Sequence, residues 1–549
     1  MARPCVTMTN IRRKWGVFAM KKMKRLKVFL APVLALALAV GTLPLAWAAD
    51  DIKGNVTFNS SAAMMGFSDT EVAQTTAFRY SDGWFAAPST QFNHDLANMS
   101  LRLAISAWTA AEAYNTDNKN SPVLDKSGYT RAAKNVRDAY RAIGFQPLRY
   151  FHYDAPLDDE EDKAAFSFAE KRLKLGGKDT VLLVLVIRGG NYGGEWVSNG
   201  NVVGDGLNHA GFDAAAKEIV KEAEKLLKSY PKDVAVKLWA TGYSRSAGIL
   251  NLVAAALDQS IVAGKSRLQK DGLFAYAFAV PANTKDPDAG GAMYSNIFNV
   301  INPVDVILLV PFDAWGFRRY GVTKYLRFLE KGEEYDRVDA AYAKLFDGLV
   351  PEGARFDAHL VTWENFIALY VINEIFPAFM TTSEGFSGIQ PYLQSVMRGI
   401  FVQDTLIPDI ATGNYRHAYD GIFGENAIWA PIYWAAAALA FPVNAPAALL
   451  GQGQLIDPGV VTLVACIVQQ LVVQVAMNPP TPMNLVRSVP TTFNALGRAV
   501  WVGLGSDFSP ASIVNNFMIA HSAESYLAML DLPADAAYGS GEIRGLSIR

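Results

Sequence analysis

The chain has 549 residues, 51% of them apolar, enough to bury one large core or two ordinary ones. Nine of its 50 Lys and Arg and none of its 52 Asp and Glu fall in the first 48 positions, so the remainder carries a net charge near −11, which excludes a basic nucleic-acid-binding surface. Of the two cysteines, Cys5 belongs to that first segment and Cys466 is left alone, excluding an intrachain disulfide; six scattered histidines give no zinc-ligand spacing, and no cofactor or metal is implied.

Residues 1–48 join a basic stretch, KKMKRLK at 21–27, to a short apolar run and an Ala46-x-Ala48 pattern. This is the layout of a secretory signal peptide, which predicts cleavage near Ala48 and export to the cell envelope or beyond. Met20 is an alternative start, and an uncleaved anchor is the competing reading, opposed by the shortness of the run and by Pro32 and Pro44.

Asp50–Asp82 is polar and reads as an exposed N-terminal arm. His94–Tyr114 and Thr130–Ile143 carry apolar residues at helical spacing, and Leu148–Tyr153 reads as a strand. The acidic run at 158–162 lacks the glycine-turned spacing of a calcium loop and reads as solvated. Thr180–Ile187 is continuously apolar, as a parallel strand covered on both faces would be. The glycines from Gly189 to Gly194 follow at its carboxyl end, where backbone N–H groups can approach a ligand closely; an ordinary glycine-rich turn is the alternative. A helix from Phe212 to Tyr230, a strand from Val234, a helix over Ser246–Leu257 and strands at Leu273–Val280 and Ser295–Ile301 complete an alternation. That alternation implies a parallel sheet with helices on both faces.

Between the Val234 strand and the Ser246 helix lies Gly242-Tyr243-Ser244-Arg245-Ser246. A strand that turns sharply into a helix through Gly-x-Ser-x-small exposes the central hydroxyl above the sheet, beside the helix N-terminus. The plainer reading is a serine that caps the helix. A serine nucleophile needs a histidine base oriented by a carboxylate. Asp305 follows a strand and suits the last role, with Asp313 as an alternative. His521 suits the base and gives the order Ser, Asp, His, while His359 and His417 are alternatives; His94 and His152 come too early in the chain.

With these pieces in place the chain resembles the class 3, fungal-lipase-like α/β-hydrolases, in particular their bacterial secreted members. The resemblance rests on Val186-Ile187-Arg188-Gly189-Gly190, Glu195-Trp196, His209-x-Gly211-Phe212, Thr241-Gly242-Tyr243-Ser244-Arg245, Ala275-Tyr276-x-Phe278-Ala279-x-Pro281, Asn302-Pro303-x-Asp305 and His521-Ser522-x-x-x-Tyr526. It covers about residues 90–320 and 511–530. It implies Ser244 as nucleophile, His521 as base, Asp305 as orienting acid, an oxyanion hole from the N–H groups of Gly190 and Arg245, and a structural loop role for His209. Two positions depart from the pattern: the resemblance leads one to expect Thr or Ser at Gly190, and a glycine at Ser246, where a side chain is expected to loosen the turn.

The expected organisation is a signal peptide at 1–48, an α/β-hydrolase core at 49–320, a helical insertion at 321–510, and a return to the core at 511–549. From Asn426 to Val486 the only charged residue is Asp457, so the insertion reads as a helical cap able to touch a lipid interface. Transmembrane helices near Ile428–Phe441 and Val460–Met477, or a plain helical subdomain, are the alternatives. The expected function is a secreted serine carboxylic-ester hydrolase, a lipase or esterase, whose partner is an ester or lipid substrate. The alternative is a non-catalytic membrane- or envelope-associated protein that keeps the hydrolase scaffold.

Overall fold

The structure, a computed structural model, describes residues 51–62, 72–108, 133–153, 162–189, 198–202, 206–305, 316–346 and 519–540, with a few single positions and short strands besides. The expected signal segment and most of the insertion, with His359, His417, Cys466 and the apolar stretch 426–486, lie outside the described residues.

The expected N-terminal arm is instead a hairpin. β1 (Ile52–Asn59) and β2 (Ala73–Tyr80) pair antiparallel, Ile52 opposite Tyr80. Val56, Phe58, Phe78 and Tyr80 are buried, and the Tyr80 ring stacks on that of Trp239. Thr76, Phe78 and Tyr80 alternate with exposed residues, the period-two pattern that points one face of a strand inward.

The centre is an eight-stranded sheet. Its strands in chain order are β3 (Gln146–Phe151), β4 (Phe166–Leu175), β5 (Lys178–Ile187), β6 (Ala235–Tyr243), β7 (Leu273–Phe278), β8 (Ile297–Ile301), β9 (Val322–Leu326) and β10 (Tyr538–Gly539), and each neighbours the next in space. β5 to β9 run parallel, while β3 and β4 at one edge and β10 at the other are antiparallel additions. β5, β7 and β8 are buried over nearly their whole length, as strands covered on both faces must be.

The cover comes from α1 (His94–Ser106), α2 (Lys134–Ala142), α3 (Ala210–Ser229) and α4 (Arg245–Val262). Alternation along β6 sorts two of them to opposite faces. The Trp239 indole and the Thr241 hydroxyl both donate to Ser100 of α1, whereas Gly242, one position out of phase, lies against Ser246 of α4. The core runs past the expected boundary at 320: β9 pairs with β8, and α5 (Glu333–Phe346) packs on α6 (Ala523–Leu530). Among the described residues no helix is long and apolar enough to cross a membrane.

Candidate active site

β6 ends at Tyr243 and α4 begins at Arg245, so one residue, Ser244, makes the whole reversal. Its φ of 60° and ψ of −130° lie where a residue with a Cβ is strained, at a cost of about 1–3 kcal/mol. The surroundings hold it there. Ser244 N donates to Phe278 O on β7 at 2.9 Å, and Ala247 N returns to Ser244 O at 2.8 Å. Gly242 is obligatory, because a Cβ on it would meet the Ser246 carbonyl oxygen at 2.7 Å.

Ser246, expected to loosen this turn, braces it. Its fully buried hydroxyl accepts from Tyr243 N at 2.9 Å and donates to Tyr243 O at 2.8 Å, so both polar groups of the residue before the nucleophile position are satisfied locally.

Asp305 stands four residues beyond β8, which is two strands from β6 and so roughly 10 Å away across the sheet. A side chain must bridge that gap, and the imidazole of His521 does. Ser244 Oγ lies 2.9 Å from His521 Nε2, and His521 Nδ1 lies 2.7 Å from Asp305 Oδ2. All three are at most 3% exposed. With a carboxylate on Nδ1, that nitrogen carries the proton, leaving Nε2 as the acceptor for the serine hydroxyl.

Residues the sequence reading did not single out for this task fix the two partners. The Tyr526 hydroxyl donates to Asp305 Oδ2 at 3.1 Å and accepts from Asn302 N at 2.9 Å. The Tyr243 hydroxyl donates to the main-chain carbonyl of His521, and Asn302 Nδ2 donates to Ala520 O at 3.1 Å. Burial and the nearby Asp305 charge hold both phenol groups well above their ordinary pKa, so both remain donors. Tyr526 and Asn302 were visible only as motif positions; nothing in the sequence announces what the Tyr243 hydroxyl reaches.

Of the expected oxyanion donors, Arg245 supplies the first N–H of α4, while Gly190 lies outside the described residues. The Arg245 side chain is buried and turned away from the chemistry, with Nε and Nη2 donating to Ser198 Oγ at 3.0 and 2.6 Å. Asp313 also lies outside the described residues. The remaining described histidines are engaged elsewhere. His209 stacks on Phe212 at 3.8 Å, its Nε2 meets Asn199 O, and burial lowers its pKa to about 3, keeping it neutral. His152 pairs with Glu218, and His94 with the Tyr538 hydroxyl. The acidic run contributes only Asp162 to the described residues, where it accepts from Asn201. Among the described residues no cluster of three or more His, Cys, Asp or Glu is suited to hold a metal. Two surface cavities, about 560 and 280 Å³, border none of Ser244, Asp305 and His521.

Five parallel strands in sequence order, with a strained serine at the β6–α4 reversal and an acid after β8, form an α/β-hydrolase arrangement. No protein-family model matches the chain, and no curated protein does. Among solved structures it is similar to a fungal lipase–inhibitor complex, at 19% identity over 42% of this chain and 79% of that one, with a TM-score of 0.29. It is likewise similar to the Rhizomucor miehei triacylglyceride lipase, at 18% identity, 42% and 79% coverage and a TM-score of 0.29. A mutant of the Penicillium cyclopium protein MDLA stands at 18% identity, 44% and 83% coverage and a TM-score of 0.29. The fold assignment rests on the sheet and the elbow, not on superpositions this partial.

Proposed function

We propose that this protein is an exported serine carboxylic-ester hydrolase, with Ser244 as nucleophile, His521 as general base and acid, and Asp305 as the orienting carboxylate. The single observation that carries this reading is the continuous line from Ser244 Oγ through both nitrogens of His521 to Asp305 Oδ2, at 2.9 and 2.7 Å. A structural serine has no need of a strained turn, and a structural histidine has no need of a buried carboxylate aligned behind it.

In the reaction, Ser244 Oγ bonds to the ester carbonyl carbon as its proton passes to His521 Nε2, and the carbonyl π pair moves onto oxygen. The N–H groups of Arg245 and Gly190 receive that oxyanion. Collapse restores the carbonyl, breaks the bond to the alkoxy group and returns the proton from His521 to the departing alcohol. Water then gives a proton to His521 as its oxygen bonds to the acyl carbon; collapse of that second intermediate breaks the bond to Ser244 Oγ, which takes the proton back from His521, and the acid leaves. The Asp305 carboxylate stabilises the imidazolium that forms twice per cycle.

The apolar stretch 426–486 supports a lipid ester as the substrate class and contact with a lipid interface during turnover. The test is hydrolysis of p-nitrophenyl esters of several chain lengths, dissolved and emulsified, by the chain without residues 1–48. Ser244→Ala is expected to lower kcat at least about 10⁴-fold, and rates for long-chain esters to rise once an emulsion forms. Equal rates with and without the Ser244 hydroxyl would remove it as nucleophile and leave the non-catalytic scaffold as the reading.

A further inference from the structure

We infer that the indole N–H of Trp108 is a third hydrogen-bond donor of this site, placed to bind the carbonyl oxygen of the ester as it becomes an oxyanion; this rests on the ester-hydrolase reading above. Trp108 lies two residues past the end of α1. Its Nε1 is buried and has no hydrogen-bond partner. A buried, unsatisfied donor costs about 1–3 kcal/mol, and one that persists calls for an explanation such as a ligand that arrives later.

The position of that nitrogen supplies the ligand's chemistry. A Cβ built on Gly189 would lie 2.4 Å from Trp108 Nε1 and 3.0 Å from Tyr243 O, so the indole nitrogen sits against Gly189 where β5 and β6 end. The ladder pairs Ile187 with Gly242, which brings Gly189 and Ser244, each two residues further on, to the same level of the sheet edge. The indole ring also meets the Tyr243 ring edge-on at 5.2 Å, and the Tyr243 ring meets that of His521 at 5.7 Å. The unpartnered N–H therefore lies at the carboxyl edge of β5 and β6, beside the turn that carries Ser244.

Neither Gly189 nor Gly190 has a side chain able to donate, and any side chain at Gly189 would displace the indole. A neutral N–H with no prior partner gives up nothing when negative charge develops beside it, so its bond strengthens from ester to tetrahedral intermediate. Indole does not titrate in the working range, so its contribution is independent of pH.

Trp108→Phe keeps an aromatic ring against Tyr243 and deletes the donor. Assayed on p-nitrophenyl butyrate beside the wild type and Ser244→Ala, it is expected to lower kcat by roughly tenfold to a hundredfold. KM and the shape of the pH profile should stay nearly unchanged, and the melting temperature should be equal or higher, because no folded-state hydrogen bond is lost. A second measurement uses wild-type protein labelled with ¹⁵N on the tryptophan indoles. Phosphonylation of Ser244 by an alkyl p-nitrophenyl phosphonate, which leaves a P=O oxygen in the oxyanion position, should move the Trp108 N–H proton downfield. That resonance is assigned by its loss in Trp108→Phe or Trp108→Tyr. An unchanged kcat in an otherwise active enzyme, or a resonance that stays in place, overturns the inference alone. A wild type no faster than Ser244→Ala brings down the ester-hydrolase reading and this inference with it.

Discussion

The serine and the histidine of this site are held in opposite ways. Ser244 is fixed by its own neighbourhood: Gly242 makes room, Ser246 satisfies Tyr243 from three residues away, and Ala247 closes the first turn of α4. His521 is fixed from across the chain. Its carbonyl accepts from Tyr243, 278 residues earlier, the preceding Ala520 is held by Asn302, and Ala523 N donates to Ser61 Oγ in the N-terminal hairpin. The geometry of Ser244 is thus set by its own pentapeptide and one bond to the neighbouring strand β7, while His521 is in place only when the hairpin, β6, the Asn302 turn and α6 have all docked. Loosening α6 should lower the rate before it unfolds the sheet.

The sharpest way to break this contrast is at the local end. Gly242→Ala drives a methyl group into the Ser246 backbone, which cannot move without shifting the first turn of α4. Overpacking of this kind costs about 1–3 kcal/mol, and an ångström of displacement of Ser244 costs about a hundredfold in rate. Chemical denaturation and ester kinetics on the same preparation should show both losses together. A variant with normal stability and normal kcat would mean that the elbow is not set locally.

Tyr243→Phe probes the other end with a smaller expected effect. Removing the hydroxyl deprives the buried His521 carbonyl of its donor, a loss of about 1–3 kcal/mol. It leaves the backbone of Tyr243, and hence the elbow, unaltered. The predicted signature is a drop in kcat of roughly tenfold, reporting a less well-placed base, while an active-site phosphonate still titrates one serine per chain. Loss of serine labelling would show that the two ends are not separable.

How much of this was legible in the sequence follows the same division. The elbow could be read directly, because an apolar strand, a Gly-x-Ser turn and a small-residue helix are contiguous, and each pattern reports on its own segment. Strand-end placement and chain order put Asp305 and His521 forward but left Asp313, His359 and His417 open; the fold brings Asp305 and His521 into one line with Ser244. What the polar look of 50–82 concealed is a hairpin whose inward residues, Thr76, Phe78 and Tyr80, alternate over too short a stretch to stand out beside Gln74 and Arg79. β4 hid for a related reason: only its first four residues are buried, and Glu170 to Lys174 carry charge along a partly exposed edge. Ser246 was misread because its meaning depends on where one hydroxyl points, and a substitution for glycine looks like lost room until the two bonds to Tyr243 are seen.

The mildest effect on rate is expected from Glu524, three residues after the histidine. Its carboxyl is fully buried; Oε1 accepts from Ser60 Oγ at 2.8 Å and Ser61 N at 2.9 Å, and Oε2 has no partner. Burial is the largest influence and raises the pKa above the ordinary value of 4.5, against the opposing pull of the Ser60 and Ser61 hydrogen bonds. Because the folded state holds this proton more tightly than the unfolded chain does, the stabilisation is complete below the ordinary carboxyl value. It drains as pH climbs towards the raised one, at up to about 1.4 kcal/mol per pH unit. Glu524→Gln carries no such proton, so its melting temperature should gain on the wild type as pH increases from about 4.5 upwards, with kcat at low pH changed by less than about threefold. If the link between the hairpin and α6 is what holds the base, wild-type activity should fall at the alkaline end of that range relative to Glu524→Gln. Parallel melting curves for the two proteins across the range would show that Glu524 is not the titrating clamp, and the long-range hold on His521 would then rest on Tyr243, Asn302 and the bond from Ala523 N to Ser61 Oγ.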